Sequence, residues 1–140
     1  MRREKELVER LGSNDTVLDA MQALIGAAKA RDLKSIELTD AAYEALIGAL
    51  KHANPRVRWY CVQIFDHVSY PQAMQAVAEL LEDPVPRVRR NAVHALTCEK
   101  CKPGGAYQVD SGTARKIEWL ARHDPSSKVR AEAAVGLCAT

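Results

Sequence analysis

A short turn sequence recurs three times in this chain of 140 residues, and such a recurrence limits the folds that the chain can adopt. The tetrapeptide Pro-Arg-Val-Arg occupies residues 55–58 and returns letter for letter at residues 86–89, 31 residues later. A third version, Ser-Lys-Val-Arg, occupies residues 127–130, a further 41 residues along the chain. Self-similarity at intervals of about 20–50 residues is typical of stacked structural repeats, in which each repeat packs on its neighbours.

Each copy of the turn sequence begins a stripe of apolar residues with helical spacing. Counted from the valine, the apolar residues lie at i, i+4, i+7 and i+8, which is one face of an α-helix. The stripes are Val57, Cys61, Ile64 and Phe65; Val88, Ala92, Ala95 and Leu96; and Val129, Ala133, Gly136 and Leu137. Asn54, Asp83 and Asp124 precede the copies and are expected to cap the helices, with a nearby proline fixing φ at the start.

A second set of apolar stripes lies upstream of the three turns. These stripes are Tyr43, Leu46, Ile47 and Leu50; Met74, Val77, Leu80 and Leu81; and Ala114, Ile117, Leu120 and Ala121. Thr39, Ser69 and either Ser111 or Thr113 are the expected N-caps, and Pro71 suits a first helical turn. No segment alternates like a strand over a useful length, so each repeat is predicted to be a pair of antiparallel helices.

These patterns predict an all-α fold in a single domain over residues 1–140. The helix pairs are predicted at residues 38–68, 70–98 and 113–140. Residues 1–33 lack the turn sequence and are expected to form a degenerate repeat that caps the stack. Residues 99–112, rich in Gly and Pro, are expected to form an inserted loop. Aromatic residues make up only 5% of the chain, and an Ala- and Leu-rich core favours closely packed helices over a sheet.

The repeats resemble those of the HEAT-repeat superfamily, especially the short bacterial repeats called HEAT-like in phycobilisome lyases. The residues that carry the resemblance are Pro55, Val57, Arg58, Asp83, Pro84, Val88, Arg89, Ala92, Asp124, Pro125, Val129, Arg130 and Ala133. The resemblance implies a right-handed α–α superhelix with the second helix of each pair on the concave face. It also implies a structural ladder that joins adjacent turns, made of Arg58, Asp83, Arg89, Asp124 and Arg130. Family members include scaffolds, adaptors, nucleic-acid binders and a few enzymes, so the motif indicates fold rather than function.

A basic column remains once the ladder arginines are set aside. It consists of Arg56, Arg87 and Lys128, at the start of each second helix, with Arg90 added in the middle repeat. Helical spacing places Trp59, Gln63 and His94 beside it, in one patch with Arg90. An exposed tryptophan next to arginines suits an acidic peptide, a phosphate or a nucleic-acid backbone. The alternative is a solvated helix face with Trp59 folded against its neighbours.

Two cysteines with the spacing of half a zinc knuckle open the predicted loop. Cys98 and Cys101 form a Cys-x-x-Cys pair, and His94 lies one helical turn before Cys98. A structural zinc site needs four ligands, and no fourth ligand is evident beyond His67 one repeat earlier. Reduced thiols at a helix end are therefore the favoured interpretation, with zinc or a redox pair as alternatives. No cofactor is expected.

No arrangement of residues in the sequence indicates catalysis. The chain has no His-Glu dipeptide, which marks the di-iron hydroxylases among HEAT-repeat proteins, and no Gly-rich phosphate loop or Ser/His/Asp arrangement. The predicted function is a non-catalytic scaffold or adaptor that recognises a protein partner or an acidic peptide through its concave, basic face. The alternative is a nucleic-acid-binding or bilin-lyase-like protein.

The two ends of the sequence give further expectations. A charged N-terminus without an apolar leader predicts a cytoplasmic protein, and residues 16–30 are too short to span a bilayer, so no membrane partner is expected. The last helix carries no charge after Glu132. The C-terminal repeat is therefore expected either to form a homodimer or to dock on a partner, unless its alanine-rich face is simply tolerated.

Overall fold

The computed structural model describes residues 40–68, 70–98 and 109–138, and within them every regular element is helical. The α-helices are α1 (Asp40–Ala49), α2 (Pro55–His67), α3 (Met74–Glu79), α4 (Pro86–Thr97), α5 (Ser111–His123) and α6 (Ser127–Cys138). Two 3₁₀ turns, Pro71–Ala73 and Leu80–Glu82, extend α3 at its ends. None of the described helices is both long and apolar enough to cross a bilayer.

The helices form three successive pairs, α1 with α2, α3 with α4, and α5 with α6. The second helices also pack on one another, α2 against α4 and α4 against α6. Each repeat thus contacts the next mainly through its second helix, which is the arrangement of a helical solenoid. The all-α fold predicted from the sequence is confirmed. The expected cap at residues 1–33 and most of the expected loop lie outside the described residues.

The valine of each turn sequence lies at the centre of the packing between helices. Val57, Val88 and Val129 are all fully buried. One close approach depends on a missing side chain, because a Cβ atom at Gly136 would lie 2.7 Å from the hydroxyl oxygen of Thr97 on α4. Glycine at this position therefore lets α6 lie tightly against α4.

The helix starts differ in part from the prediction. Asn54 caps α2 as expected, its side-chain oxygen accepting the backbone N–H of Arg56 at 3.0 Å. Asp83 does not cap α4, because Val85 is the N-cap and the Asp83 carboxylate accepts the Val85 N–H from outside the helix. Asp124 similarly accepts the N–H of Ser126, at 2.9 Å. Both carboxylates close a turn before their helix.

The fifth helix begins earlier than predicted. Asp110 is its N-cap and accepts the N–H of Thr113 at 2.7 Å, so the prediction of Ser111 or Thr113 as the cap was wrong. Ser111 is instead the first helical residue, which moves the start of the third repeat two residues before residue 113. The charged carboxylate of Asp110 is well placed here, because a helix start has free N–H groups and favours negative charge. The other expected caps, Thr39 and Ser69, lie outside the described residues.

We predict that Val88→Ala destabilises the protein by about 1–3 kcal/mol, because the lost methyl groups leave a cavity in a fully buried contact. Val135→Ala is the matched control, since Val135 is 64% exposed on α6 and its truncation leaves no cavity. Urea denaturation followed by circular dichroism measures both changes. Equal unfolding free energies for Val88→Ala and the parent chain would show that this valine does not hold the helices together.

Candidate functional site

Two arginines of the repeated turn sequence join each repeat to the next. Arg58 on α2 donates from Nε and Nη2 to the carboxylate of Asp83, at 2.7 and 3.1 Å. Arg89 on α4 makes the same two-pronged contact with Asp124, at 2.8 and 2.9 Å. Each aspartate side chain is almost fully buried, so the pairs are shielded from solvent. This geometry is the ladder that the resemblance implied.

The third donor of each arginine binds its own turn. Nη1 of Arg58 donates to the carbonyl oxygen of His52 at 2.8 Å, and Nη1 of Arg89 donates to that of Asp83 at 2.8 Å. Arg130 repeats this contact with the carbonyl oxygen of Asp124, at 2.7 Å. The Nη1 contact is therefore the same at all three positions. In Arg58 and Arg89, Nε, Nη1 and Nη2 all donate hydrogen bonds, which holds the guanidinium group in one orientation.

The environment of Asp124 shows how the ladder tolerates burial. Burial by itself favours the neutral carboxyl and raises its pKa. The hydrogen bonds from Arg89 and from the N–H of Ser126, with the positive charges of Arg89 and Arg130, outweigh burial and hold the pKa of Asp124 below its ordinary value. The carboxylate thus stays charged in the folded protein, and its pairing fixes the third repeat relative to the second.

A basic depression lies along the second helices, beside the ladder. It has a volume of about 290 Å³ and is lined by Trp59, Pro86, Arg87, Arg90, Asn91, Ser126 and Lys128. Three of these side chains are cationic, and none of the lining residues in the described part of the chain is acidic. Residues from all three repeats contribute, because α2, α4 and α6 pack side by side. This surface brings together four of the predicted binding residues.

Trp59 is fixed within this depression rather than exposed. It is only partly accessible, and its Nε1 donates to the side-chain oxygen of Asn91 at 2.9 Å. The guanidinium carbon of Arg87 lies 4.3 Å above the ring, in cation–π distance. The expectation of an exposed tryptophan was wrong, because a neighbouring repeat supplies both contacts. The alternative, a tryptophan folded against its neighbours, describes the structure.

A second depression of about 290 Å³ adjoins the first and carries charges of both signs. Its lining residues are Gln63, Asp66, His67, Arg90, Asn91, His94 and Glu132. Nδ1 of His94 lies 2.8 Å from the carboxylate of the buried Asp66. This hydrogen bond raises the pKa of His94, against the opposing effect of burial. Nε of Arg90 lies 3.7 Å from the carboxylate of Glu132. The predicted patch is therefore divided into a basic part and a mixed part.

The remaining predicted residues have separate locations. Arg56 is exposed on the first turn of α2 and lines neither depression. Of the zinc candidates, His94 binds Asp66, Cys98 ends α4, and Cys101 lies outside the described residues. Within residues 40–68, 70–98 and 109–138, no three His, Cys, Asp or Glu side chains are grouped so as to hold a metal ion.

Six residues of the two depressions were not predicted from the sequence as binding residues. They are Asp66, His67, Pro86, Asn91, Ser126 and Glu132. The positions equivalent to Asp66 hold Thr97 and Cys138, so the repeat pattern gives no signal there. Asn91 directly follows Arg90 in the sequence, and this adjacency was the one available indication that Asn91 lies near the predicted patch.

We predict that Asp124 makes the protein sensitive to acid. Because its pKa is lower in the folded than in the unfolded state, its contribution to stability is complete above the unfolded pKa of about 3.9 and is lost as the pH falls through the folded pKa. Asp124→Asn should cost about 1–3 kcal/mol at pH 7 and should flatten the decline of stability below pH ~4.

Urea midpoints measured from pH 7 to pH 2.5 test this prediction. Glu118→Gln is the control, since Glu118 is an exposed carboxylate that meets Arg122 on the same helix at 3.4 Å. It should leave both the midpoint and its pH profile almost unchanged. A parallel decline for the parent chain and Asp124→Asn would show that another group causes the sensitivity to acid.

Known protein structures with the same fold were found by comparison. Two engineered proteins, whose crystal structures come from the Northeast Structural Genomics Consortium, share the fold. The first has a TM-score of 0.75 and 25% sequence identity over 99% of this chain, and the second a TM-score of 0.69 and 22% identity over 97%. The chain spans 62% of the length of each of them.

The sequence comparisons are more specific about the family. No curated protein matches the chain in sequence. The family model described as HEAT repeats matches residues 43–138, which include all six described helices except the first residues of α1. The matched region carries the repeated turns, the buried valines and the ladder residues. The chain therefore belongs to the HEAT-repeat family.

Proposed function

We propose that this protein is a non-catalytic binding scaffold that recognises an acidic segment of a partner protein. The binding surface is the basic depression, with Trp59, Arg87, Arg90 and Lys128 at its centre. The observation that carries this proposal is the local charge, because three cations line the depression without an acidic residue among its described lining. The overall charge of +2 is too small to have the same effect.

The cations of this depression are available for a ligand. Neither Arg87 nor Lys128 forms an ion pair with an acidic side chain among the described residues, and both are exposed. Arg90 meets Glu132 only at 3.7 Å, and its side chain is 50% exposed. A partly exposed pair at this distance is weak, so a ligand carboxylate can compete for Arg90 at little cost.

Trp59 gives the depression a rigid apolar wall. The hydrogen bond to Asn91 and the contact with Arg87 hold the ring in place before any ligand arrives. A side chain that is already ordered loses little conformational entropy on binding, which favours affinity. Tryptophan and arginine are also the residues that most often dominate binding energy at protein interfaces. The surface therefore suits a segment that combines carboxylates with an apolar side chain.

The charges beyond the depression favour a protein over a nucleic acid. A nucleic acid needs a continuous run of cations, because its phosphates follow one another closely along the strand. Here the adjoining mixed depression contains the carboxylates of Asp66 and Glu132. These would lie against the phosphates of any strand that continued along the second helices. A short acidic segment of a protein, which occupies only the basic depression, avoids them.

Fluorescence of Trp59 offers a direct test. The chain has two tryptophans, so Trp119→Phe leaves Trp59 as the single reporter. The probes are a synthetic peptide of alternating Glu and Leu, the same peptide with Lys in place of Glu, and a single-stranded oligothymidine. We expect only the acidic peptide to change the emission of Trp59, with an affinity that falls as salt is added. Binding of oligothymidine without binding of the acidic peptide would assign the surface to nucleic acid.

We predict that Arg90→Glu weakens binding of the acidic peptide at least about tenfold, which corresponds to a loss of about 1.4 kcal/mol. The reason is that reversal removes a cation from the depression and adds a carboxylate beside Glu132. Arg122→Glu is the matched control, because Arg122 is 71% exposed on α5 and lines neither depression. Circular dichroism should be unchanged in both variants. Equal affinities for Arg90→Glu and Arg122→Glu would move the binding surface elsewhere.

A further inference from the structure

The mixed depression contains two carboxylates that are compensated to different degrees. The carboxylate of Asp66 lies 2.8 Å from Nδ1 of His94, and this hydrogen bond joins α2 to α4. Glu132 on α6 has a looser contact, because its Oε1 lies 3.7 Å from Nε of Arg90, which is beyond hydrogen-bond distance. Its side chain is nevertheless only 19% exposed. Within the described residues, Glu132 is therefore a largely buried carboxylate whose ion-pair partner is distant.

Arg90 is the charged group that the two depressions share. It lines both of them, and its side chain is 50% exposed. A ligand carboxylate that binds Arg90 would move the guanidinium group away from Glu132, or would itself lie close to that second carboxylate. In either case Glu132 has less compensating positive charge, which is unfavourable for a carboxylate largely removed from water. Binding of an acidic segment therefore creates a need for a second cation.

The mixed depression does not supply this cation itself. Apart from Arg90, the described residues place no arginine or lysine in its lining. His94 is already bound to Asp66, so a proton on His94 would compensate Asp66 first. The titratable and charged groups around His94 are Asp66 and His67 from α2, Arg90 and Cys98 from α4, and Glu132 from α6. Glu132 thus depends on Arg90 until a ligand brings positive charge.

We infer that the mixed depression binds an arginine side chain of the same partner segment whose acidic residue binds Arg90. This inference rests on the proposed function and deepens it, because it assigns two neighbouring opposite charges to the segment. The ligand arginine donates to the carboxylate of Glu132, while the ligand carboxylate accepts from Arg90. The weak pair within the protein is thereby replaced by two pairs with the ligand. A planar guanidinium group, with two parallel donors, suits a carboxylate better than an ammonium group does.

The dimensions of the site suit one side chain next to another. The mixed depression has a volume of about 290 Å³, just below the range of ~300–1,000 Å³ that is typical of pockets for small molecules. Because Arg90 and Glu132 lie only 3.7 Å apart, the two ligand charges must also lie close together. In an extended segment, residues i and i+2 point to the same side and are about 6.5 Å apart along the chain. An acidic and a basic residue with this spacing meet the requirement.

Peptides that exchange a single charge test the inference without any change to the binding surface. The parent peptide alternates Glu and Leu, and its first or its last Glu is replaced by Arg or by Gln. Emission of Trp59 in the Trp119→Phe chain reports affinity, at about pH 8.5, where a histidine of ordinary pKa, about 6.5, is neutral. At one end of the peptide, we expect Arg to bind at least about fivefold more tightly than Glu, with Gln between them. At the other end, over the basic depression, the order should be reversed. Weakest binding with Arg at both ends would overturn the inference.

Glu132→Gln separates the mixed depression from the rest of the surface. This variant should bind the tighter arginine peptide more weakly than the parent chain does, because the acceptor is lost. It should bind the all-glutamate peptide more tightly, because a repelling carboxylate is lost. Glu118→Gln is the matched control, since Glu118 is exposed on α5 and lines neither depression, and it should change both affinities equally. A gain from the ligand arginine that survives Glu132→Gln would overturn the inference.

The all-glutamate peptide separates this inference from the proposed function. If it binds and both arginine peptides bind more weakly, the proposed function stands and the mixed depression does not take a basic side chain. If none of the peptides changes the emission of Trp59, the proposed function is wrong and this inference is wrong with it.

Discussion

The two-pronged contact between an arginine of one repeat and an aspartate of the next sets the geometry of the rest of the molecule. Apolar packing brings α2, α4 and α6 together, but valine and alanine contacts alone permit small shifts between helices. A guanidinium bound to two carboxylate oxygens and to a backbone carbonyl permits far less variation. Arg58 and Arg89 make this contact with nearly identical distances. The position of each second helix, and of the residues that it carries, is fixed as a result.

The basic depression is a consequence of this fixed spacing. Arg87 and Lys128 occupy equivalent positions on successive second helices, and the stacking of the helices places them in one depression with Trp59. Arg90 lines both the basic and the mixed depression, so it connects the two. Without the ladder contacts these charges could move apart, and the positive potential of the depression would be weaker. On the same helices, therefore, some arginines join the repeats and others line the basic depression.

The residues that make the surface particular to this protein are those that break the repeat. Trp59 corresponds to Arg90 and Ala131 in the later repeats, and its bond to Asn91 occurs only between α2 and α4 among the described helices. Asp66 and His94 form a second contact of this kind, between the same two helices. The repeat pattern supplies the scaffold, while these departures from it supply polar contacts and shape. This division is common where function is added to a regular fold.

The sequence by itself determined the helical repeats and the buried valines, because these depend on local periodicity and on recurrence, and the resemblance to HEAT repeats implied the ladder residues. It did not determine the burial of Trp59, which depends on Asn91 and Arg87 in the next repeat. It indicated both a ladder contact and a helix cap for Asp83, since a carboxylate can make either, and the structure has the contact with Arg58 and no cap of α4. Only the tertiary structure decided these points, because packing brings together side chains that lie some 25–35 residues apart.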